Sequence, residues 1–205
     1  VRAHWVADRQ SGPVLLRYGT EEVRRKLIPE IVKGECYFCI GLSEPNSGSD
    51  LFAASTKAVK AEGGYKVTGT KIWTSNAHRT HYMIGLIRTS PPTADNRRHG
   101  LSQFLIKMDT PGITVRPIIN LAGHHDFNEV HFDDAFVPDA HLIGRENEAW
   151  KQATDELAYE RSGPDRWLET LAAFTEGVRV AGAEPVPHIA ETLGRETAHL
   201  MTLRR

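Results

Sequence analysis

The sequence predicts an α+β chain in which an antiparallel β-sandwich or barrel forms the middle and α-helical segments flank it. Two observations carry this. Between Cys36 and Phe136 the apolar residues fall in short runs of period two, about seven in one hundred residues, separated by Gly, Pro and polar turns. Before and after that span they recur at the three-and-four spacing of a helix.

Residues 1–19 are mixed, with Trp5, Val6, Val14, Leu15 and Leu16. Thr20 is an N-cap candidate and Glu21-Glu22 suit a first turn. Val23, Leu27, Ile28, Ile31 and Val32 make the apolar stripe of the helix that follows, Pro29 is a point of kinking and Gly34 closes it. Strands are expected at Cys36–Leu42, Ala54–Glu62, Tyr65–Lys71, Tyr82–Arg88, Leu101–Met108, Ile113–Ile118 and Asn128–Phe136, with Gly63-Gly64 as a hairpin turn. Ser90–Gly100 reads as a polar loop with two Pro and two Arg. Glu148 to about Arg161 reads as a helix with Trp150, Ala153, Leu157 and Arg161 near one face. Gly163-Pro164 breaks it, and Asp165 restarts a helix with Leu168, Leu171, Ala172 and Phe174 as another apolar stripe. Gly182–Pro187 is a linker before a last helix marked by Ile189, Leu193, Leu200 and Leu203.

The chain has 205 residues, a net charge of −1 and a pI near 6.9. No strong field draws it to nucleic acid or an anionic membrane. No signal peptide and no membrane-spanning apolar run are expected. Cys36 and Cys39 are the only cysteines, and strand alternation puts them on opposite faces. They read as buried, reduced thiols in a cytoplasmic protein, not as half of a zinc site. The chain starts at Val1 and stops at Arg204-Arg205 on a helical pattern, as a piece of something longer would.

Two stretches could hold a flat, partly polar ligand. Gly41-Leu42-Ser43-Glu44-Pro45-Asn46-Ser47-Gly48-Ser49-Asp50 is a polar turn after a strand, with backbone N–H groups and short hydroxyls. Lys71-Ile72-Trp73-Thr74-Ser75-Asn76 sets an aromatic plane beside two hydroxyls. Each alone reads first as an ordinary turn and a core Trp. His124-His125-Asp126 with His131 reads as a surface loop, since adjacent ligands converge poorly on one ion. No nucleophile elbow, P-loop or dinucleotide fingerprint is present. Glu160-Arg161 follows Leu157, Ala158 and Tyr159. A surface pair is the plain reading, but a carboxylate partly desolvated by such neighbours takes up a proton more readily, as a general base must.

Together these pieces resemble the flavin-dependent acyl-CoA dehydrogenases. Gly41–Asp50 with Ala53 resembles that family's first signature, and Lys71–Asn76 its flavin-stacking segment. Tyr18-Gly19-Thr20, Phe104-Leu105-Ile106, Pro111-Gly112, Phe127-Asn128-Glu129-Val130, Phe132-Asp133-Asp134, Val137-Pro138, Asn147 and Trp150 extend the likeness over roughly residues 12 to 162. The resemblance implies residues 1–35 as the end of an N-terminal helical domain, 36–145 as a middle β-domain and 146–205 as the start of a C-terminal helical domain. It implies FAD as cofactor, with Ile40, Leu42 and Ser43 facing the flavin's pyrimidine side. Trp73 would pack on the ring, Thr74 and Ser75 near N5 and O4, and Gly48 and Ser49 at the phosphates of flavin and CoA. It implies α,β-dehydrogenation of an acyl-CoA, with Glu160 as base, as in the isovaleryl- and long-chain-type members. Ala158, Tyr159, Arg161 and Ser49 would then meet the substrate. An electron-accepting flavoprotein and a homo- or hetero-oligomer of the full-length parent would be the partners. The chain departs from the family at Gly163-Pro164, and no Arg-x-x-Phe-Gly segment precedes Arg205. A non-catalytic or truncated subunit and an acyl-CoA oxidase are the alternatives.

Overall fold

The computed structural model of the chain describes residues 2–161, 163 and 165–203. It divides into two compact units, Val1–Tyr159 and Glu160–Arg205, each described by itself.

The first unit opens with α1 (Arg2–Val6), a π-helical turn Ala7–Ser11 and α2 (Gly12–Tyr18), so the mixed N-terminal stretch is helical. Helix α3 (Glu21–Lys33) starts where Thr20 Oγ1 accepts the Val23 N–H at 3.3 Å, and ends at Gly34, whose φ of +76° suits glycine. Pro29 lies inside α3 without ending it. Thr20→Ala is expected to cost about 1 kcal/mol of stability, read from urea denaturation.

Among the described residues eight strands follow: β1 (Phe38–Gly41), β2 (Lys57–Ala61), β3 (Gly64–Lys71), β4 (Tyr82–Arg88), β5 (Leu101–Lys107), β6 (Ile113–Ile119), β7 (His125–Pro138) and β8 (Leu142–Ile143). The order is β6-β7-β3-β2-β4-β5-β8, with β1 on β4. The sheet is mixed, because β1 runs parallel to β4, pairing Phe38 with Tyr82 through Gly41 with Gly85. The chain between them contains the β2–β3 hairpin, long enough to return β4 in the same direction. β2 and β4 meet at one bridge, Lys57 with Arg88, so two ribbons face each other across a core, as in a sandwich. The hairpin turn sits at Glu62-Gly63, one residue before the expected place, since Ala61 pairs Gly64.

That core holds Cys39, Val67, Met83, Ile87, Phe104, Ile106, Val130 and Phe132. A second core lies under the helices, where Leu15, Leu27 and Ile31 meet Phe38, Tyr82, Ile84 and Leu105. Both faces of β4 and β5 are therefore covered, which is why those strands are continuous apolar runs and not alternating ones. Cys36 falls in the second core and Cys39 in the first, as alternation predicts. Both are free and buried, and burial pushes each thiol up to about 12.

Helix α4 (Ala149–Arg161) leads out of the first unit. Of the face marked by Trp150, Ala153, Leu157 and Arg161, only Ala153 is buried: it joins Ala149, Gln152 and Glu156, while Trp150 and Leu157 are half-buried and Arg161 is exposed. Apolar spacing pointed elsewhere because two of the buried residues are polar. Gln103 Nε2, on β5, donates to Glu156 Oε2 at 2.8 Å. The second unit holds α5 (Asp165–Ala181) and α6 (Pro187–Leu203), with Gly182 (φ +76°) opening the linker between them. Pro164 of the expected helix break lies outside the described residues. Among the described residues no helix is long and apolar enough to cross a membrane.

Candidate functional site

The decapeptide and the Trp73 segment are locked together by a buried ion pair. Glu44 folds back in a tight turn, its N–H to Ser47 O at 2.6 Å and its carbonyl accepting the Ser47 N–H at 3.1 Å. Its carboxylate accepts from Ser55 N at 2.7 Å, Ser55 Oγ at 2.8 Å and Thr56 N at 3.0 Å. Lys71 Nζ, at the end of β3, donates to Glu44 Oε1 at 2.7 Å and to Leu42 O at 3.1 Å. Ile72 N adds a bond to Ser43 O at 2.9 Å. The Lys71 side chain is 0% exposed and that of Glu44 3%.

Burial pushes the Glu44 carboxyl up, but the Lys71 charge and the hydrogen bonds from Lys71, Ser55 and Thr56 outweigh it and hold the group at about 2. Burial also lowers Lys71, and the Glu44 charge opposes that without cancelling it. The pair thus favours the Glu44 charge while Lys71 loses more to burial than its partner returns. Such a pair is no large source of net stability, yet removing either half strands the other. The Arg88 guanidinium braces the next turn by donating to Phe52 O at 2.7 Å and Ala54 O at 2.8 Å.

From this latch the chain enters the Trp73 segment. Trp73 has φ +58° and Asn76 φ +57°, left-handed values that cost a bulky residue most. The Trp73 indole is 58% exposed and meets the Phe127 ring edge-on at 6.2 Å. Thr74 is buried, with its N–H on Asn128 O at 3.0 Å and its carbonyl accepting from Asn128 Nδ2 at 2.9 Å. Its Oγ1 has no hydrogen-bond partner among the described residues. Ser75 is exposed.

In the decapeptide, Ile40, Leu42 and Ser43 are half-buried, and Gly48 and Ser49 are exposed. A Cβ on Gly48 would meet nothing within 4 Å, and its backbone is not left-handed, so neither packing nor conformation within the chain demands glycine there. Arg97 pairs with Asp50 at 2.6 Å and, with Arg98, lies over the Phe52 ring.

On α4, Ala158 is exposed and Tyr159, the last residue of the first unit, is half-buried. Glu160 (half-buried) and Arg161 (exposed) open the second unit on the same helix's last turn. The structure therefore brings the decapeptide and Trp73 segments together within one unit, while Glu160 and Arg161 belong to the other. His125 and His131 of the histidine-rich stretch are engaged locally, His125 stacking on His78 at 3.8 Å and His131 Nδ1 lying 3.0 Å from Thr70 Oγ1.

Sequence reasoning assigned no role to Glu44, Lys71 or Asn128. The parity of β7 carried a signal for Asn128, since it continues the buried series Val130 and Phe132 by two residues. Lys71 carried a weaker one, a lone cation at the inner end of a strand.

An exposed indole in a strained backbone, an unpartnered buried hydroxyl and an open glycine turn fit a planar heteroaromatic group with a phosphate tail, as FAD is. Comparison with known proteins agrees on lineage. Residues 39–135 match the family profile described as acyl-CoA dehydrogenase, middle domain. The chain is 42% identical over 151 residues to acyl-CoA dehydrogenase FadE34 of Mycobacterium tuberculosis, covering 74% of this chain and 21% of that one. It is 34% identical over 208 residues to acyl-CoA dehydrogenase IpdE1 of Mycolicibacterium smegmatis, covering 94% of this chain and 53% of the relative. The solved structure of a Tcur3481-Tcur3483 steroid ACAD variant superposes with a TM-score of 0.84 at 30% identity, over 97% of this chain and 53% of that one. The chain spans about half the length of IpdE1 and about a fifth of FadE34. On these matches and its fold, the chain belongs to the acyl-CoA dehydrogenase family.

Proposed function

We propose that the full gene product is an FAD-dependent acyl-CoA dehydrogenase that introduces an α,β double bond into an acyl-CoA thioester. The observation that carries this reading is Trp73, a mostly exposed indole held at left-handed φ beside the unpartnered Thr74 hydroxyl. Strain of that kind persists only where surrounding structure enforces it, and the Glu44–Lys71 latch and Asn128 do so. In this reading Trp73 stacks on the isoalloxazine, with Thr74 and Ser75 at its N5 and O4 edge. Ile40, Leu42 and Ser43 line its pyrimidine side, while Gly48 and Ser49 admit the flavin and CoA phosphates, consistent with the open space at Gly48. When bound, the flavin accepts the β-hydride.

Glu160 takes the α-proton, and Ala158, Tyr159 and Arg161 line the acyl-CoA cleft. Residues 1–35, 36–145 and 146–205 correspond to the end of a helical domain, the β-domain and the start of a second helical domain. An electron-accepting flavoprotein re-oxidises the enzyme. Structural relatives that include a ChsE4-ChsE5 complex of Mycobacterium tuberculosis and an electron transferring flavoprotein of Acidaminococcus fermentans support an oligomer and such a partner. Two free buried thiols suit a cytoplasmic setting.

The test is to express the full gene product, measure bound-flavin absorbance, and assay acyl-CoA oxidation with an artificial acceptor. Flavin-loaded protein with turnover is the expected result, and flavin-free, inactive protein overturns the reading. Trp73→Leu should weaken FAD binding by about tenfold, the order of 1–1.5 kcal/mol an aromatic pair supplies, while the melting curve of the flavin-free protein stays in place.

A further inference from the structure

We propose that Asn128 is the positioning residue that holds the Trp73–Ser75 segment in its strained, ligand-facing form, with His78 and His125 completing the hydrogen bonds of the Asn128 amide. The proposal rests on the flavin reading only for what the segment faces; the strap itself is a property of this chain.

Asn128 is 0% exposed, and it grips Thr74 from both sides. Its carbonyl oxygen accepts the Thr74 N–H at 3.0 Å, and its side-chain Nδ2 donates to Thr74 O at 2.9 Å. Thr74 is thus tied at both backbone groups to one residue that lies 54 positions later in the chain. A second tie, Asn76 N–H to Asp126 O at 2.8 Å, fixes the far end of the segment to the same strand. Between these ties and the Lys71 latch sit the left-handed Trp73 and Asn76. The backbone has nowhere to relax, which is how a Trp with positive φ is kept.

The side-chain amide cannot turn over, because its oxygen would then face the Thr74 carbonyl oxygen. Two imidazoles meet the other end of the amide. His125 Nε2 lies 2.7 Å and His78 Nδ1 3.2 Å from Asn128 Oδ1. Because Nδ2 must face the Thr74 carbonyl, Oδ1 is left to accept, and each imidazole must present an N–H to it. The donors are therefore the Nε2–H of His125 and the Nδ1–H of His78. His78 Nε2, on the far side of its ring, is buried and has no hydrogen-bond partner among the described residues. The rings stack at 3.8 Å with planes 17° apart, so each holds the other in place for the shared acceptor. Asn is the residue suited to this place: Asp lacks the donor for Thr74 O, and Leu lacks donor and acceptor alike.

Backbone amide exchange, residue by residue, on the flavin-free chain tests this for the unmodified protein, Asn128→Asp and Asn128→Leu. The expected result is local: exchange at Thr74 and Asn76 rises about tenfold or more in both variants, the value of one buried hydrogen bond, while β4 and β5 amides are unmoved. A purely structural Asn128 would raise exchange throughout the sheet together, and that outcome, or no change at Thr74, overturns the proposal. Should neither variant fold, Asn128 serves global stability and the proposal likewise falls. A parallel FAD titration of the full gene product is expected to weaken about tenfold or more in each variant. Absence of FAD uptake by the unmodified protein would defeat the flavin reading, while the exchange comparison still decides the role of Asn128.

Discussion

Lys71→Met should destabilise the β-domain by about 3–5 kcal/mol, because it leaves the Glu44 carboxylate buried and charged with its counter-ion gone. Methionine matches the length of the lysine stem, so the lost volume is small and the loss is electrostatic. The double variant Lys71→Met/Glu44→Gln should recover much of the stability, since both charges leave together. Urea denaturation of the three proteins reads both effects. A single variant no less stable than the parent would mean that the pair is not held as described.

Acid titration gives the same pair a second readout. The folded value for Glu44, about 2, lies below its ordinary 4.5, so the unfolded chain binds the extra proton between those values. The Glu44 contribution is therefore whole above pH 4.5 and is lost as pH falls through about 2, on the order of 3 kcal/mol in all. That loss should be missing from the double variant.

Glu160→Gln should lower kcat by about 10²–10⁴ with FAD content and acyl-CoA affinity retained. The amide keeps the size and hydrogen-bonding reach of the carboxylate but cannot take the α-proton. Glu160→Asp should retain part of the rate, because the base is present but set back by one methylene. Steady-state assay and acyl-CoA titration separate these effects. Unchanged turnover in Glu160→Gln removes Glu160 from the role and directs attention to carboxylates elsewhere in the full gene product. Glu156 is the internal control. It lies one turn earlier on α4, but it is 1% exposed and bonded to Gln103, so its replacement should register first in stability.

Much of the fold was legible because its signals are local. Thr20 caps α3 and Gly34 ends it through chemistry carried within a few residues of each. Tyr82–Arg88 is a strand because its apolar run is too short for a helix in that setting and is bounded by turns. Leu142–Ile143 escaped notice because two residues make no period, and only the pairing with Gln103 and Phe104 makes them a strand. The parallel course of β1 on β4 was hidden for a similar reason: periodicity reports which faces a strand buries, not the direction of its neighbour. On α4 the apolar spacing gave no sign of the buried face, where Gln152 and Glu156 stand in place of apolar residues. A hydrophobic pattern cannot register a polar residue whose burial is made tolerable by a partner on another element.

The sequence by itself determined the order and type of the elements, the opposite facing of Cys36 and Cys39, and the family through its two motif stretches. All of these are properties of neighbouring residues. Only the tertiary structure decided which of the chain's charged and polar groups hold those motifs in place. Glu44 meets Lys71 across 27 residues and Thr74 meets Asn128 across 54, and no local pattern encodes such a meeting. The physical reason is burial. A Lys, a Glu or an Asn spells the same letter in water and in a core, and the energy that makes it consequential arises only when strand pairing removes the water.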